Sequence, residues 1–414
     1  MIQLLKGVRV LECAVLMTGD QTGRLLGDLG AEIIKVEAPG TGDYIRVLGD
    51  MMAPDNSSTH LMANRHKRSL TLNLRSKDGR RIFFEILKDI DIFVDGFAGD
   101  ACKRLGIGYE EQCKVKPDII YLQANGYGNA GPYREIPVHG YMLNATAGSS
   151  RLRVREDGLV DEVMEVDDEI HFPGYPDGPM MGGLFGAYTA VAALEQRRTT
   201  GKGVYIDTAG ADAVLAEVGM DANNVWNRAR AQRPENTAPS PGQDPRTRPK
   251  YAFYQTKDKK FVLLAAIERK FWNNFCKAVD RPDLSDVQYA DSPVDFRNIG
   301  GRKDLPEELR DIFATRTQAE WVEIASKYDI ALGPANTLEE ARHDPHLLAR
   351  DIVHEAVHPV AGPFTTIGWP AMVTGQRFGI AQHAPALGEH TDDILTALGY
   401  SKEDVIGLRE RGIV

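Results

Sequence analysis

Strands alternating with helices through the first two hundred residues predict an α/β protein with a parallel sheet covered on both faces. Two further observations divide the chain. A segment rich in Pro, Arg, Asn and Gln at 232–249 reads as a long linker or crossing segment, and strands with amphipathic helices resume from Tyr251 to Lys327. The length of 414 residues suits two domains rather than one core. The expected division is a large domain opened by 1–231, a linker at 232–249, a smaller domain over 250–330, and a return to the large domain over 331–414.

The elements follow in order. Val8–Ala14 is a short apolar run, the pattern of a buried strand. Asp20–Leu29 carries apolar residues at helical spacing and stops at Gly30; EIIKVE at 32–37 is the next strand. Ser69–Leu74 reads as a strand, Lys77–Lys88 as a helix, and Ile90–Val94 and Asp118–Gln123 as strands. The charged run Arg153–Glu169 predicts a solvated loop or exposed hairpin. Met180–Arg198, rich in Ala and Leu, predicts a long helix ended by Thr200-Gly201, with a strand at Val204–Asp207. Past Ala331 the chain reads as short strands, turns and one final helix, Thr391–Leu398.

Composition excludes several classes. With a formal net charge of -10 the chain would repel nucleic-acid phosphates. Cys13, Cys102, Cys113 and Cys276 form no CxxC pair and no metal spacing, which predicts a reducing, cytoplasmic setting. Residues 1–15 carry no signal-peptide pattern, and no apolar run is long enough for a membrane span. Gly126, Gly128 and Gly131 match GxGxxG after a strand, but Pro132 and Tyr133 follow where a dinucleotide site needs a helix N-terminus. A tight glycine loop is the better reading. His343, His346, His354 and His358 are read as a surface cluster, so no metal site is expected. Glu165 and the run Asp167–Glu169 are read as a solvated acidic face.

Seven stretches carry a family resemblance: GDLGAEIIKVEAPGTGDYIR at 27–46, NRHKRSLTLNL at 64–74, RLGIGYE at 104–110, KPDIIYLQANGYGNAGP at 116–132, AALEQRRTTGKGVYIDT at 192–208, HDPHLLARDI at 343–352 and APALGEHTDDILTALGYS at 384–401. In this order they resemble the class III CoA-transferases, the group of formyl-CoA and carnitine CoA-transferases and 2-methylacyl-CoA racemases. The resemblance implies a Rossmann-like large domain built from both chain ends, a smaller α+β domain, and two protomers threaded as linked rings. It also implies covalent catalysis, in which an aspartate attacks the acyl-CoA thioester and later carries CoA as an enzyme thioester. CoA and acyl-CoA are then substrates, and no permanently bound cofactor is expected.

The ungapped match from Gly178 to Gly203 places the family's helix glycine at Gly183 and its aspartate at Pro179. Proline suits a helix's first turn but offers no nucleophile. Asp177, two residues earlier, is the fallback carboxylate. Thr18-Gly19-Asp20 stands where the family often has Ala-Gly-Pro, which is expected to add negative charge near CoA. Gly96 stands where an asparagine is usual. The expected CoA contacts are Val15, Leu16, Met17, Lys67, Arg68, Phe97, Lys103 and Arg104, the basic ones facing phosphates.

A chain that resembles the family but lacks its nucleophile resembles the non-catalytic member of a two-chain enzyme, such as succinyl-CoA:(R)-benzylsuccinate CoA-transferase. The expected partner is a homologous subunit carrying the aspartate. The alternatives are a homodimeric transferase or isomerase using Asp177, and a non-enzymatic CoA-binding or regulatory protein.

Overall fold

The computed structural model describes residues 1–150, 152–162, 177–230, 248–285 and 304–414. Their contacts group them into two units, one holding 1–162, 177–223 and 345–414, the other 224–230, 248–285 and 304–344.

In the first unit, β1 (Arg9–Cys13) leads through α1 (Met17–Asp28) to β2 (Glu32–Glu37). Next come β3 (Lys67–Thr71), α2 (Lys77–Leu87), β4 (Ile92–Asp95) and β5 (Ile120–Asn125). The long helix α3 (Gly178–Thr200), β6 (Val204–Ala209) and α4 (Gly210–Glu217) complete this part. The sheet order is β3-β2-β1-β4-β5-β6, and every neighbouring pair is parallel. The chain winds outward from β1 in one direction, then restarts on the other side at β4, which leaves a crevice at the C-terminal ends of β1 and β4.

Alternation along each strand feeds two cores. Leu11, Ile34, Leu70 and Phe93 face Ile82, Phe83 and Ile86 of α2. Val10, Ile33, Val94 and Leu122 face Leu25 and Leu26 of α1 and Ala187, Ala190 and Leu194 of α3. The expected elements are present with shifted ends: α1 starts at Met17, before Asp20, and β3 starts at Lys67, before Ser69. The charged run begins as an exposed hairpin, Leu152–Val154 paired antiparallel with Val160–Glu162. The rest of that run, with the expected acidic face at 165 and 167–169, and all but 248 and 249 of the expected linker lie outside the described residues.

The second unit holds an antiparallel sheet of β7 (Tyr251–Gln255), β8 (Phe261–Ala265) and β9 (Leu332–Ala335), in that order. Helices α5 (Arg269–Ala278), α6 (Leu305–Phe313) and α7 (Gln318–Tyr328) pack with it around Trp272, Phe275, Phe313 and Trp321. Both indole N–H groups are satisfied, Trp272 by the Leu284 carbonyl at 3.0 Å and Trp321 by the Phe313 carbonyl at 2.9 Å. Because β9 pairs with β8, residues 332–335 belong to this unit, and the chain rejoins the first unit at 345 rather than 331.

The returning segment contains the hairpin β10 (Val353–His358) and β11 (Gly362–Ile367), then α8 (Thr391–Ala397). The single final helix expected from sequence is corrected to two. After α8 comes α9 (Lys402–Glu410), opened by a reciprocal cap between Ser401 and Asp404 and buried only through Val405 and Leu408. His358 also departs from the expected surface cluster: it is buried, bonded to the Ala384 carbonyl and accepting from the amides of Val360 and Ala361. Among the described residues no helix is long and apolar enough to cross a membrane.

Candidate functional site

The loops that leave β1 to β4 enclose a cleft of about 700 Å³ at the switch point. Val15 follows β1, Ala38 and Pro39 follow β2, Leu74 and Arg75 follow β3, and Phe97, Ala101 and Arg104 follow β4. Another cavity, about 760 Å³, is lined by the first two residues and by residues between 349 and 378, and by none of these loops.

The cleft rests on buried charge. Lys35 binds the carboxylates of Glu12 at 3.2 Å and Asp43 at 2.9 Å, and that of Asp20 as well. Lys67 binds Glu12 at 2.8 Å and donates to the Asp20 carbonyl at 2.9 Å. Asn64 donates to the other Asp20 oxygen at 3.1 Å. Three carboxylates thus meet two ammonium groups out of water. Burial pushes the Asp20 carboxyl well up, against the pull of Lys35 and Lys67. Burial alone would lower the Lys35 ammonium, but Asp20, Asp43 and Glu12 outweigh it and raise it. Asp43 goes the other way. Burial opposes its charge, yet Lys35 and the amides of Ile45 and Leu16 hold it down to about 2. Beside this cluster Glu37 takes a two-pronged bond from Arg46, at 3.0 and 2.8 Å, and a third from Ser69. Arg46 also reaches the Pro385 carbonyl at 2.8 Å, tying the loop before α8 to the cleft wall.

The expected CoA residues scatter. Val15, Phe97 and Arg104 line the cleft, and Leu16 and Met17 continue the turn from Val15 into α1. Arg104 is exposed and pairs loosely with Glu135 at 3.4 Å. Lys67 is corrected: it is fully buried between Glu12 and Asp20 and presents no charge to a phosphate. Arg68 lines a separate cavity of about 150 Å³ with His66 and Gln382. Lys103 lines another, of about 240 Å³, with Tyr109, Tyr121 and Tyr205. Asp20, expected to add negative charge near CoA, instead turns inward to Lys35 and Asn64. Arg75 was missed from sequence. It stands exposed in the cleft, one residue past the strand motif at 64–74, and that position was the available signal.

Helix α3 carries the expected nucleophile position. Pro179 lies in its first turn, packed on Gly140, and Asp177 is its N-cap, with Oδ1 accepting from the Met180 amide at 3.1 Å. Gly183 lies against α1: a Cβ there would stand 2.7 Å from the Gln21 Cβ and 3.1 Å from the Thr18 carbonyl. Position 179, four residues earlier, shares that face of α3. Neither Asp177 nor Pro179 lines the cleft. Gly183→Ala is therefore expected to force the two helices apart and cost about 1–3 kcal/mol, read as a lower urea midpoint. The glycine loop at 126–131 has no helix following it directly. It is tied by Asn125 accepting from the Gly128 amide at 2.6 Å and Asp207 accepting from the Asn129 amide at 2.9 Å. Among the described residues no group of His, Cys, Asp and Glu is placed to hold a metal ion.

Comparison with known proteins places this geometry. The model for CoA-transferase family III matches residues 5–391. Mouse succinyl-CoA:glutarate CoA-transferase is 31% identical over 392 residues, covering 94% of this chain and 85% of that protein. The beta subunit of succinyl-CoA--L-malate CoA-transferase from Chloroflexus aurantiacus is 28% identical over 417 residues, covering 99% and 98%. A CAIB/BAIF family protein from Brucella suis superposes with a TM-score of 0.74 at 22% identity over 96% of this chain and 100% of that one, which shows the same fold. The doubly wound sheet, its switch-point cleft and a match spanning nearly every residue lead to one conclusion: this chain belongs to CoA-transferase family III, whose members move CoA between acyl-CoAs and acids.

Proposed function

We propose that this chain is the pseudo-catalytic subunit of a heteromeric CoA-transferase, and that a homologous partner supplies the nucleophilic aspartate. One observation carries the reading. The first turn of α3 offers Pro179 where a carboxylate is needed, and Asp177, two residues earlier, caps the helix. In the partner's site the aspartate oxygen bonds to the thioester carbon and the C–S bond breaks, giving a mixed anhydride and CoA thiolate. The thiolate attacks the aspartyl carbonyl, releases the donor acid, and leaves an enzyme thioester. The acceptor carboxylate and then the returning thiolate reverse these steps. This chain contributes the interlocked scaffold and a cleft for CoA, with Val15, Phe97, Arg75 and Arg104 around it.

The donor proposed is succinyl-CoA and the acceptor (R)-benzylsuccinate, which places the enzyme in anaerobic toluene degradation in the cytoplasm. Several relatives are named for succinyl-CoA, and one is named as a subunit, which supports a heteromer. Native mass spectrometry of the enzyme from its source should find two related chains in equal ratio. A homodimer that exchanges CoA at ordinary rates would sink the reading.

The second reading, a homodimer using Asp177, draws on its place at the α3 N-terminus. Asp177→Ala separates them. The pseudo-catalytic reading expects transfer rates within twofold of wild type and a loss of about 1 kcal/mol of stability from the missing cap. Loss of all turnover would favour Asp177 as nucleophile.

A further inference from the structure

The turn between β1 and α1 is held in an unusual shape. Leu16 has φ 63 and ψ -157, a backbone region that residues with a side chain rarely occupy and that glycine adopts freely. Such a conformation persists only where its surroundings impose it. Here the Leu16 amide donates to both oxygens of Asp43, each at 3.1 Å. Asp43 is itself fixed: Oδ1 accepts from the Ile45 amide at 3.0 Å, Oδ2 accepts from Lys35 at 2.9 Å, and the residue is 1% exposed. Lys35 in turn donates to the Ala14 carbonyl at 3.2 Å. The strained turn is therefore gripped on both sides of Val15, a residue that lines the cleft. Asp43 comes from the loop after β2, so it clamps one wall of the switch-point cleft to the other.

We propose that Asp43 is the positioning residue of this site, holding the Leu16 turn in the shape that lets the cleft accept a CoA thioester. The proposal rests on the reading of the cleft as a CoA site. Asp43 does not touch the reacting atoms. It acts through the backbone of Leu16 and the placement of Val15. Its charge matters as well as its shape, because an asparagine would turn an amide N–H toward the Lys35 ammonium or give up a bond to Ile45 or Leu16.

The test uses the full chain in the assembly in which it purifies, with CoA as the probe. Asp43→Asn, Leu16→Gly and the double variant are compared by isothermal titration with CoA, by hydrogen exchange over residues 14–18 and by thermal melting. Asp43→Asn is expected to weaken CoA binding and speed exchange at the turn by about tenfold each, the scale of a strained residue's conformational cost. The double variant should recover CoA affinity to within about threefold of Leu16→Gly alone, because glycine needs no clamp to hold that backbone. A double variant that binds as weakly as Asp43→Asn would overturn the proposal and leave Asp43 a general stabiliser. If Asp43→Asn does not fold, Leu16→Gly against Leu16→Ala decides. A strained turn requires the glycine variant to melt higher, and equal melting would refute the strain. Wild-type chain that binds no CoA, with exchange responding as described, would leave the clamp standing and overturn the reading of the cleft.

Discussion

Lys35→Met is expected to destabilise the protein by about 3–5 kcal/mol, a large part of the roughly 5–15 kcal/mol that holds an ordinary domain folded. Methionine nearly preserves the volume of the lysine and removes its charge. Glu12, Asp20 and Asp43 would then face Lys67 alone, all nearly inaccessible to water. An orphaned buried carboxylate must protonate or pull the structure open, and either response costs several kcal/mol. Urea midpoints at pH 7 check this, with Lys6→Met, an exposed lysine, as the control that should change by less than about 0.5 kcal/mol. A loss for Lys35→Met no larger than the control's would mean that the cluster contributes nothing net. Because Lys35 also anchors Asp43, folded Lys35→Met protein should show a loosened Leu16 turn.

Acid should begin to destabilise this protein above the range where carboxylates ordinarily titrate. Burial, with Arg46 alongside, holds His60 neutral down to about 3, and burial holds His66 neutral down to about 4. An unfolded histidine protonates near 6.5. Folded-state values below the unfolded one give stability that is complete above about pH 6.5 and is lost as pH falls toward 3–4. The slope is about 1.4 kcal/mol per pH unit for each proton, so the two histidines together lose about 4 kcal/mol by pH 5. Asp95 opposes this. Burial raises its carboxyl to about 6, despite the Tyr121 hydroxyl donating to it at 2.6 Å. Its cost at neutral pH is relieved as pH falls below 6, returning about 1.4 kcal/mol by pH 5. These three groups together give a loss of about 2–3 kcal/mol between pH 7 and pH 5; Asp20, raised by burial as Asp95 is, opposes it further, and Asp43 adds to the loss only below about pH 4. Urea midpoints across that range measure it, and His60→Gln should flatten the slope by about one proton. A slope that His60→Gln leaves unchanged would contradict the buried, neutral placement of His60.

The sheet was legible where β-branched residues cluster between turn signals. EIIKVE was read as a strand at 32–37 and is β2, end to end, because the β-branched Ile33, Ile34 and Val36 stand between a glycine stop and a turn. A boundary slipped where charged residues open a strand. β3 starts at Lys67, which reads as solvated in a sequence and is in fact buried. The last helix escaped notice for the opposite reason: α9 is mostly charged surface and meets the core at only two side chains.

By itself the sequence determined the family, the doubly wound large domain and the absence of an aspartate at position 179. Periodicity, motif order and residue identity are all local properties of the chain. Only the tertiary structure decided which charges are available to a ligand. Lys67 and Asp20 looked like parts of a binding surface and are buried in an ion-pair cluster, whereas Arg75 is exposed in the cleft. The role of Asp43 could not be read from the sequence either. It depends on a carboxylate after β2 meeting a backbone amide 27 residues earlier, and the chain brings them together only by winding both strands into one sheet.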